Sequence, residues 1–309
     1  CRVALNGEAP RHRARGTSPM STVSLVVGIA SLIVAAFAGV YGRRQHRRHA
    51  AVVGTETTAV RDIKDESMVE LKGTIRADEP FDAPIGGDRS AVAAWEVEEW
   101  DERGSSDMWE TRAAGVYAAP FELDDGTGRV RVELGDHVSD ASPDTGIQEV
   151  QVGPIDVDRL ISNGVTVDNV LAALEGFGVE ISVPPDDEPP ERIAAFVEGE
   201  TEVTPQTDSI TNVLDVGTKH GERRYYEGTL GPGDDIYLLG QITAAERATY
   251  PLQPGDAVVR PPDDGQCIIS DKSEAELADS FSQCKYGYAV AVVAAIAGGV
   301  ALAVGAGVV

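Results

Sequence analysis

The residues best placed for chemistry are acidic side chains beside glycines. The stretch PFELDDGTGRVRVE, residues 120–133, places Asp124 and Asp125 before Gly-Thr-Gly. A calcium ion needs about six or more convergent oxygen ligands, and this stretch lacks the spaced acids of an EF-hand loop. Glycine permits positive φ, and aspartate side chains bond the local backbone. The pattern therefore predicts a structural turn between two strands.

A zinc site is the next possibility. Outside the basic and leader segments, the candidate ligands are Cys267, Cys284, His137 and His220. No two of them have the close spacing typical of a structural zinc site. The sequence also lacks GxxxxGK[ST], HExxH and GxSxG motifs. We therefore predict no catalytic residues, no cofactor and no metal ligands in this chain.

The composition is strongly acidic. The chain has 309 residues, 26 of them Lys or Arg and 51 Asp or Glu, with a formal net charge of −25. Such a surface repels the nucleic-acid backbone, so we expect no nucleic-acid partner. Acid spread over the whole body is typical of proteins that stay hydrated in strong salt, and we expect a halophilic protein. The alternative is an acidic protein that binds cationic partners.

Two uncharged stretches, residues 23–41 and 289–309, frame the acidic body. At 1.5 Å per residue, the first spans about 28 Å, close to the hydrocarbon thickness of a bilayer. Lipid offers no partner for backbone polar groups, so each stretch is predicted to be a transmembrane helix. The alternatives are a cleaved signal peptide for the first and a buried core helix for the second. We interpret residues 1–19 as upstream read-through and Met20 as the natural start.

Basic residues predict how the chain is oriented. The run RRQHRRH follows the first apolar stretch directly, and Lys285 precedes the second. The positive-inside rule then places residues 51–286 in the cytoplasm of a two-pass protein of the cell membrane. The membrane is thus the one partner that the sequence identifies, and any protein partner is unknown.

Small residues recur at every fourth place in both apolar stretches. This spacing predicts close packing between the two helices, or between copies in a homo-oligomer. An Ala- and Gly-biased genome is the alternative explanation. The residues concerned are Ser31, Ala35 and Gly39 in the first stretch, and Ala291, Ala295, Gly299, Ala303 and Gly307 in the second.

The residue pattern between the two apolar stretches predicts an α+β, β-rich fold. We expect a barrel- or sandwich-like domain with a helical insertion, flanked by the two transmembrane helices. Alternation of apolar and polar residues indicates strands, and apolar residues at helical spacing indicate helices. Ser273 and Glu276 have the spacing of a helix capping box. The predicted strands are 68–77, 91–100 and the hairpins 120–134 and 223–242; the predicted helices are 55–65, 157–175, 189–199 and one from Ser273.

Three phrases give a family resemblance: PFELDDGTGRVRVEL, RRYYEGTLGPGDDIYLLGQI and CIISDKSEAEL. In this order between two apolar stretches, they resemble the GIDE, or beside-a-membrane, domain of membrane-anchored RING-type ubiquitin ligases. The resemblance covers residues 23–309 in layout and makes 51–286 a GIDE-like domain. Residues 136–220 align with nothing in that pattern and are treated as an unassigned insertion.

The resemblance implies E3 ubiquitin transferase activity, but the chain departs from the family pattern. In those ligases a RING finger, which holds two zinc ions through eight Cys and His ligands, follows the second span. This sequence ends at Val309 without such a set. We therefore expect a membrane-anchored interaction or scaffold module. The alternatives are transferase activity with a separately encoded RING partner, and a hydrolase or ligand-binding barrel with its site in residues 136–220.

Overall fold

The fold is mixed α+β in a computed structural model of the chain. Contacts divide the chain into two compact units, residues 1–43 with 285–309 and residues 44–284. The structure describes residues 19–101, 108–135, 137–140, 164–167, 169–200, 203, 220–245, 248–263, 265–282 and 284–306. The helices are α1 (Pro19–Gly54), α2 (Glu191–Gly199), α3 (Glu274–Phe281) and α4 (Cys284–Gly305), with short 3₁₀ turns at Val60–Asp62 and Pro254–Asp256.

The first unit contains two helices that are long and apolar enough to cross a membrane, judged by length and composition. They are α1, which covers the predicted stretch 23–41, and α4, which covers residues 289–305 of the predicted stretch 289–309. The prediction of two long apolar helices is confirmed at this level. Residues 307–309 lie outside the described residues.

Glycines bring these two helices into close contact. A Cβ atom added at Gly28 would lie 2.7 Å from Leu302 Cγ, and one added at Gly298 would lie 2.9 Å from the Gly28 carbonyl oxygen. Real Cβ atoms do not approach this closely, so a side chain at Gly298 would meet the backbone of α1, and one at Gly28 would force the Leu302 side chain to move. The neighbouring Gly299 meets nothing within 4 Å and is exposed.

The predicted stripes of small residues differ in how they are used. On α1, Ser31, Ala35 and Gly39 are all half-buried. On α4, Ala291 of the predicted stripe faces α1 and Ala303 is half-buried, whereas Ala295 and Gly299 are exposed; Gly287 and Gly298, outside the stripe, also contact α1. The four-residue spacing predicts a face of small residues, but an Ala- and Gly-rich helix offers more than one such face.

The second unit is built around a closed five-stranded barrel. Its strands follow the order β1-β6-β7-β14-β13, and β1 pairs with β13 to close the ring. Closure leaves these strands without a free edge. The barrel strands are β1 (Met68–Arg76), β6 (Phe121–Asp124), β7 (Arg129–Val132), β13 (Asp235–Ala244) and β14 (Ala257–Arg260).

Three more strands extend the same sheet beyond β13, in the order β15-β10-β9. The pairs β10–β15 and β7–β14 are parallel, and the other pairs of this sheet are antiparallel. The extending strands are β9 (Gly164–Val167), β10 (Val170–Ala173) and β15 (Cys267–Ser270).

A second sheet has five antiparallel strands in the order β11-β12-β4-β5-β8. One of its faces joins the barrel core through Ala94 and Val116, and the other packs under α2 through Trp95 and Tyr225. Its strands are β4 (Val92–Asp101), β5 (Met108–Ala118), β8 (His137–Asp140), β11 (Val179–Val183) and β12 (Arg223–Leu230); β2 (Phe81–Asp82) and β3 (Arg89–Ser90) form a separate small pair.

Local patterns predicted many of these elements correctly. Alternation identified β1, β4 and the β6–β7 hairpin, and the helix predicted at 189–199 is α2. The capping box is present: the Ser273 hydroxyl accepts the Glu276 N–H, and the Glu276 carboxylate accepts the Ser273 N–H. The predicted α+β, β-rich class with a barrel is confirmed.

Three predictions were wrong. Residues 164–167 and 170–173 of the predicted helix 157–175 form β9 and β10, because pairing with β15 outweighs the helical spacing; residues 157–163 lie outside the described residues. In place of a helix over 55–65, α1 continues to Gly54 and a 3₁₀ turn follows at Val60–Asp62. The strands of the predicted hairpin 223–242 do not pair with each other, since β12 and β13 belong to different sheets.

Gly298 and Gly299 give a matched test of the helix contact. A Cβ added at Gly39 lies 3.9 Å from Ala291 Cβ, a separation that suits a disulfide. We expect a Gly39→Cys/Ala291→Cys chain to form this bond on oxidation, identified by mass spectrometry of the linked peptides. Adding Gly298→Leu should reduce the crosslinked fraction by about tenfold, whereas Gly299→Leu should leave it unchanged. Equal crosslinking in both backgrounds would contradict the packing described above.

Candidate functional site at the outer face of the barrel

The outer face of the barrel carries an apolar patch that two helices cover. Successive side chains of a strand point to opposite faces, so Leu238 and Ile269 enter the barrel core while Leu239 and Ile268 point outwards. A contiguous patch of apolar side chains is unfavourable in water, so other parts of the chain must cover it. The outward cluster comprises Leu171, Ala173, Tyr237, Leu239 and Ile268 from the sheet, Val52 from α1, and Leu277 and Phe281 from α3.

The end of α1 is held on this face by packing and by polar contacts. Val52 is fully buried in the cluster. One turn earlier, Arg48 donates through Nε to Gln266 Oε1 at 2.8 Å and through Nη2 to Thr166 Oγ1 at 3.2 Å. These contacts tie α1 to β9 and to the start of β15, far from it in sequence.

A charged network lies at the edge of the apolar cluster. The Glu70 side chain is fully buried and accepts hydrogen bonds from the Thr57 hydroxyl at 2.5 Å and the Tyr237 hydroxyl at 3.1 Å. Lys72 Nζ lies 3.0 Å from Glu70 and 2.7 Å from Glu274. The network therefore joins the segment after α1, the strands β1 and β13, and the first residue of α3.

The electrostatics of the network favour a fixed set of charges. Burial, together with the charge and hydrogen bond of Glu70, raises the pKa of Tyr237 far above its ordinary value. Burial opposes ionisation of Lys72, but the hydrogen bonds and charges of Glu274 and Glu70 outweigh it and raise the pKa of this lysine. Tyr237 thus stays protonated and Lys72 stays charged at neutral pH, as suits a structural clamp rather than an acid–base catalyst.

The Asp-Asp-Gly-Thr-Gly stretch forms the turn that its sequence predicts. Asp125 accepts the N–H groups of Thr127 at 2.8 Å, Gly128 at 3.0 Å and Val60 at 2.8 Å, and Gly126 has φ +79°. Burial works against ionisation of Asp125, but these bonds prevail and lower the pKa of its carboxyl. The carboxylate joins the β6–β7 turn to the 3₁₀ turn near α1.

Of the four residues considered as zinc ligands, the structure describes the side chains of Cys267 and His220. Cys267 is buried in the barrel core, where burial raises the pKa of its thiol to about 12. His220 Nδ1 lies 3.6 Å from Asp101 Oδ1. The side chains of His137 and Cys284 lie outside the described residues. Within the described part of the chain, no three Cys, His, Asp or Glu side chains lie together as metal ligands.

Sequence reasoning missed Glu70 and Lys72 as site residues. On the alternating strand β1 they occupy the polar positions between Val69, Leu71 and Gly73, a pattern typical of solvated side chains. The burial of Glu70 comes from α3 and from the segment after α1, which are distant in sequence, whereas Lys72 is exposed and reaches Glu274 from the surface. The only local signal was the capping box, which located the start of α3 correctly.

Comparisons with known proteins give no match to this chain. No protein-family model, no curated protein and no solved structure matches it. Function is therefore inferred from the geometry of the chain's own residues.

Removing Glu70 should weaken the whole body. Glu70→Ala leaves the Tyr237 and Thr57 hydroxyls without their acceptor and Lys72 without one of its two carboxylates, so we expect a loss of about 3 kcal/mol in the free energy of unfolding. Urea unfolding followed by tryptophan fluorescence measures this loss. The matched control is Glu122→Ala on β6, whose carboxylate is half-exposed and 3.5 Å from Arg129. A loss no larger than that of the control would show that the Glu70 network does not stabilise the fold.

Asp125 should stabilise the fold in a pH-dependent way. Its folded pKa is lowered, so its contribution is complete above the unfolded value of about 3.9 and is lost as the pH falls through the folded value. We expect Asp125→Asn to lower the free energy of unfolding by about 2 kcal/mol at pH 7, with the difference shrinking below about pH 4. Exposed Asp78 provides the control, Asp78→Asn, which should change stability little at either pH. A difference independent of pH would contradict the role of the charge.

Proposed function

We propose that this chain is a membrane-tethered, non-enzymatic interaction module. In this proposal α1 and α4 cross the membrane, and the β-rich body presents a protein partner at the lipid surface. The observation that carries it is the burial of the end of α1 and of α3 in one apolar cluster on the outer face of the barrel. Since α4 begins at Cys284, shortly after α3 ends at Phe281, both chain connections to the apolar helices start from that cluster.

The body holds the end of α1 by burial and not through a flexible linker. Here α1 is continuous from its apolar stretch to Val52, which is 0% exposed. The Glu70 network then fixes the segment after α1 and the start of α3 to the same two strands. This ordering of both connecting segments on the body supports the proposed tether.

The positive-inside rule supports a cytoplasmic body. Arg43, Arg44, Arg47 and Arg48 follow the apolar part of α1 within the same helix. Clustered arginines at the end of an apolar helix favour the cytoplasmic side of a membrane. The proposal therefore places the protein in the cell membrane with two passes and the body in the cytoplasm.

The proposed GIDE-like family membership rests on the sequence resemblance of the three phrases. The first phrase forms the β6–β7 hairpin, the second forms β12 and β13, and the third forms β15 and the start of α3. Two of the phrases thus supply barrel strands, and the third supplies the helix that covers the barrel. The alternative of transferase activity with a separate RING partner also remains a prediction, and the capture experiment below tests it.

Membrane fractionation tests the anchoring. We expect the full chain to remain in the membrane pellet after an alkaline carbonate wash, because two apolar helices are retained by lipid. A cysteine introduced at exposed Asp78 should react with a membrane-impermeant maleimide only after the membranes are opened. A chain that washes off, or one labelled fully in intact cells, would contradict the proposal.

Crosslinking in native membranes tests the interaction role. We expect one protein partner to be recovered with the full chain, and fewer copies of it with Leu277→Asp, which disrupts the packing of α3. Exposed Asp279→Asn in the same helix is the matched control. Recovery of a zinc-binding RING protein would favour the transferase alternative, and recovery of no partner would count against a scaffold.

A further inference from the structure

Two basic residues lie at the same end of the helix pair formed by α1 and α4. A Cβ atom added at Gly287 would lie 3.1 Å from Gly42 Cα, so the two backbones approach each other closely there. Arg43 directly follows Gly42, and Lys285 precedes Gly287 by two residues. The helices run antiparallel, as their other glycine contacts show. At a rise of 1.5 Å per residue, both basic residues therefore lie beyond this contact on the same side, within about 3 Å of it along the helix axes.

Neither of these exposed cations is paired with a carboxylate. Within the described residues, Arg43 and Lys285 form no ion pair and no side-chain hydrogen bond. Arginines of the body are paired: Arg129 and Arg260 lie 3.2 Å and 2.6 Å from carboxylate oxygens. In a chain with 51 acidic and 26 basic residues, two unpaired cations at one level are unusual. Their positive charge remains available to an anion from outside the chain.

An apolar groove begins one turn further along α4. Residues four apart share one helical face, so Lys285 lies in line with Ala289 and Val293, which belong to the groove. The Lys285 Nζ atom lies over the Tyr286 ring, 5.3 Å from its centroid, and Tyr286 is in line with Val290 of the groove. The ammonium group is thus placed at the end of the groove. The groove has a volume of about 320 Å³ and is lined by Ala289, Val290, Val293 and Ala294.

We propose that an anionic phospholipid binds at this end of the helix pair, with its phosphate at Lys285 and Arg43 and one acyl chain in the groove. Such a lipid brings a negative charge to the unpaired cations and an apolar chain to the groove. Tyr286 is 63% exposed, as suits an aromatic side chain at the boundary between acyl chains and headgroups. The inference rests on the proposed crossing of the membrane by α1 and α4, and it names the class of lipid that they select.

Lipid retention tests the proposal on the full chain. The chain is placed in bilayer discs with equal amounts of phosphatidylglycerol and phosphatidylcholine, and the lipid still bound after transfer to detergent is counted by native mass spectrometry. Phosphatidylglycerol should be retained in preference by about fivefold for each basic residue that it contacts. Equal retention of the two lipids would overturn the proposal.

Two further readouts separate the possible causes of failure. Glycerol phosphate carries the phosphate without acyl chains and should not displace the bound lipid. Displacement would overturn the assignment to a lipid and indicate a site for free phosphate. Entry of the chain into the discs is scored separately. A chain that does not enter them overturns the proposed membrane crossing together with this inference, whereas a chain that enters without preferring phosphatidylglycerol overturns this inference alone.

Charge variants locate the phosphate. Lys285→Gln and Arg43→Gln should each reduce the preference for phosphatidylglycerol about fivefold, because each removes one cation from the headgroup. The matched control is Arg61→Gln in the body, an exposed arginine 3.8 Å from Asp62, which should keep the full preference. Circular dichroism checks that each variant is folded. An undiminished preference in both Lys285→Gln and Arg43→Gln would exclude this site.

Two neighbouring valines locate the acyl chain. Val293 lines the groove and Val292 does not, and the two side chains are similarly exposed, at 67% and 58%. Val293→Phe should fill the groove and lower the amount of retained phosphatidylglycerol severalfold, whereas Val292→Phe should retain as much as the wild type. Equal retention by the two variants would contradict the placement of the acyl chain.

Discussion

The structure depends on the closure of the barrel at strand β13. One edge of β13 pairs with β1 over residues 235–241, while the other pairs with β15 at residues 237–239 and with β14 at residues 241–244. Strand β13 is ten residues long, which allows it to pair with three neighbouring strands. With both edges occupied, β13 cannot shift its register without breaking the barrel and its extension together, because a one-residue slip would turn every side chain to the opposite face.

Closure also determines where the helices must lie. Alternation along β13 sends Leu238 into the barrel and Leu239 outwards, and Ile269 and Ile268 do the same on β15. The outward residues need a cover, which the end of α1 and the helix α3 supply. Glu70 then becomes buried at the margin of that cover, and the hydroxyls of Thr57 and Tyr237 with the ammonium group of Lys72 satisfy its carboxylate. The Glu70 network therefore forms because the end of α1 and the helix α3 cover the outer face of the barrel.

The elements that depend on local interactions were predictable from the sequence. Period-two alternation identified β1 and β4, Asp-Gly-Thr-Gly identified the β6–β7 turn, and Ser273 with Glu276 identified the start of α3. Three of the failures involve distant partners. Val170, Leu171 and Leu174 have helical spacing, yet their segment pairs with β15 almost a hundred residues away. The Pro232-Gly233 link resembles a hairpin turn, but it leads the chain from one sheet into the other. Burial of Glu70 likewise required knowledge of what covers β1.

The end of α1 and the helix α3 share one apolar cluster on the barrel, so they should be stabilised together. Hydrogen exchange measured by mass spectrometry on the full chain and on its Val52→Asp variant compares the protection of the two helices. A charge at position 52 should accelerate exchange both in the last turns of α1 and in α3, while the β6–β7 hairpin keeps its protection. If exchange increases in α1 and α3 remains as protected as in the wild type, the two helices are not coupled through the barrel, and the shared cluster does not stabilise them together.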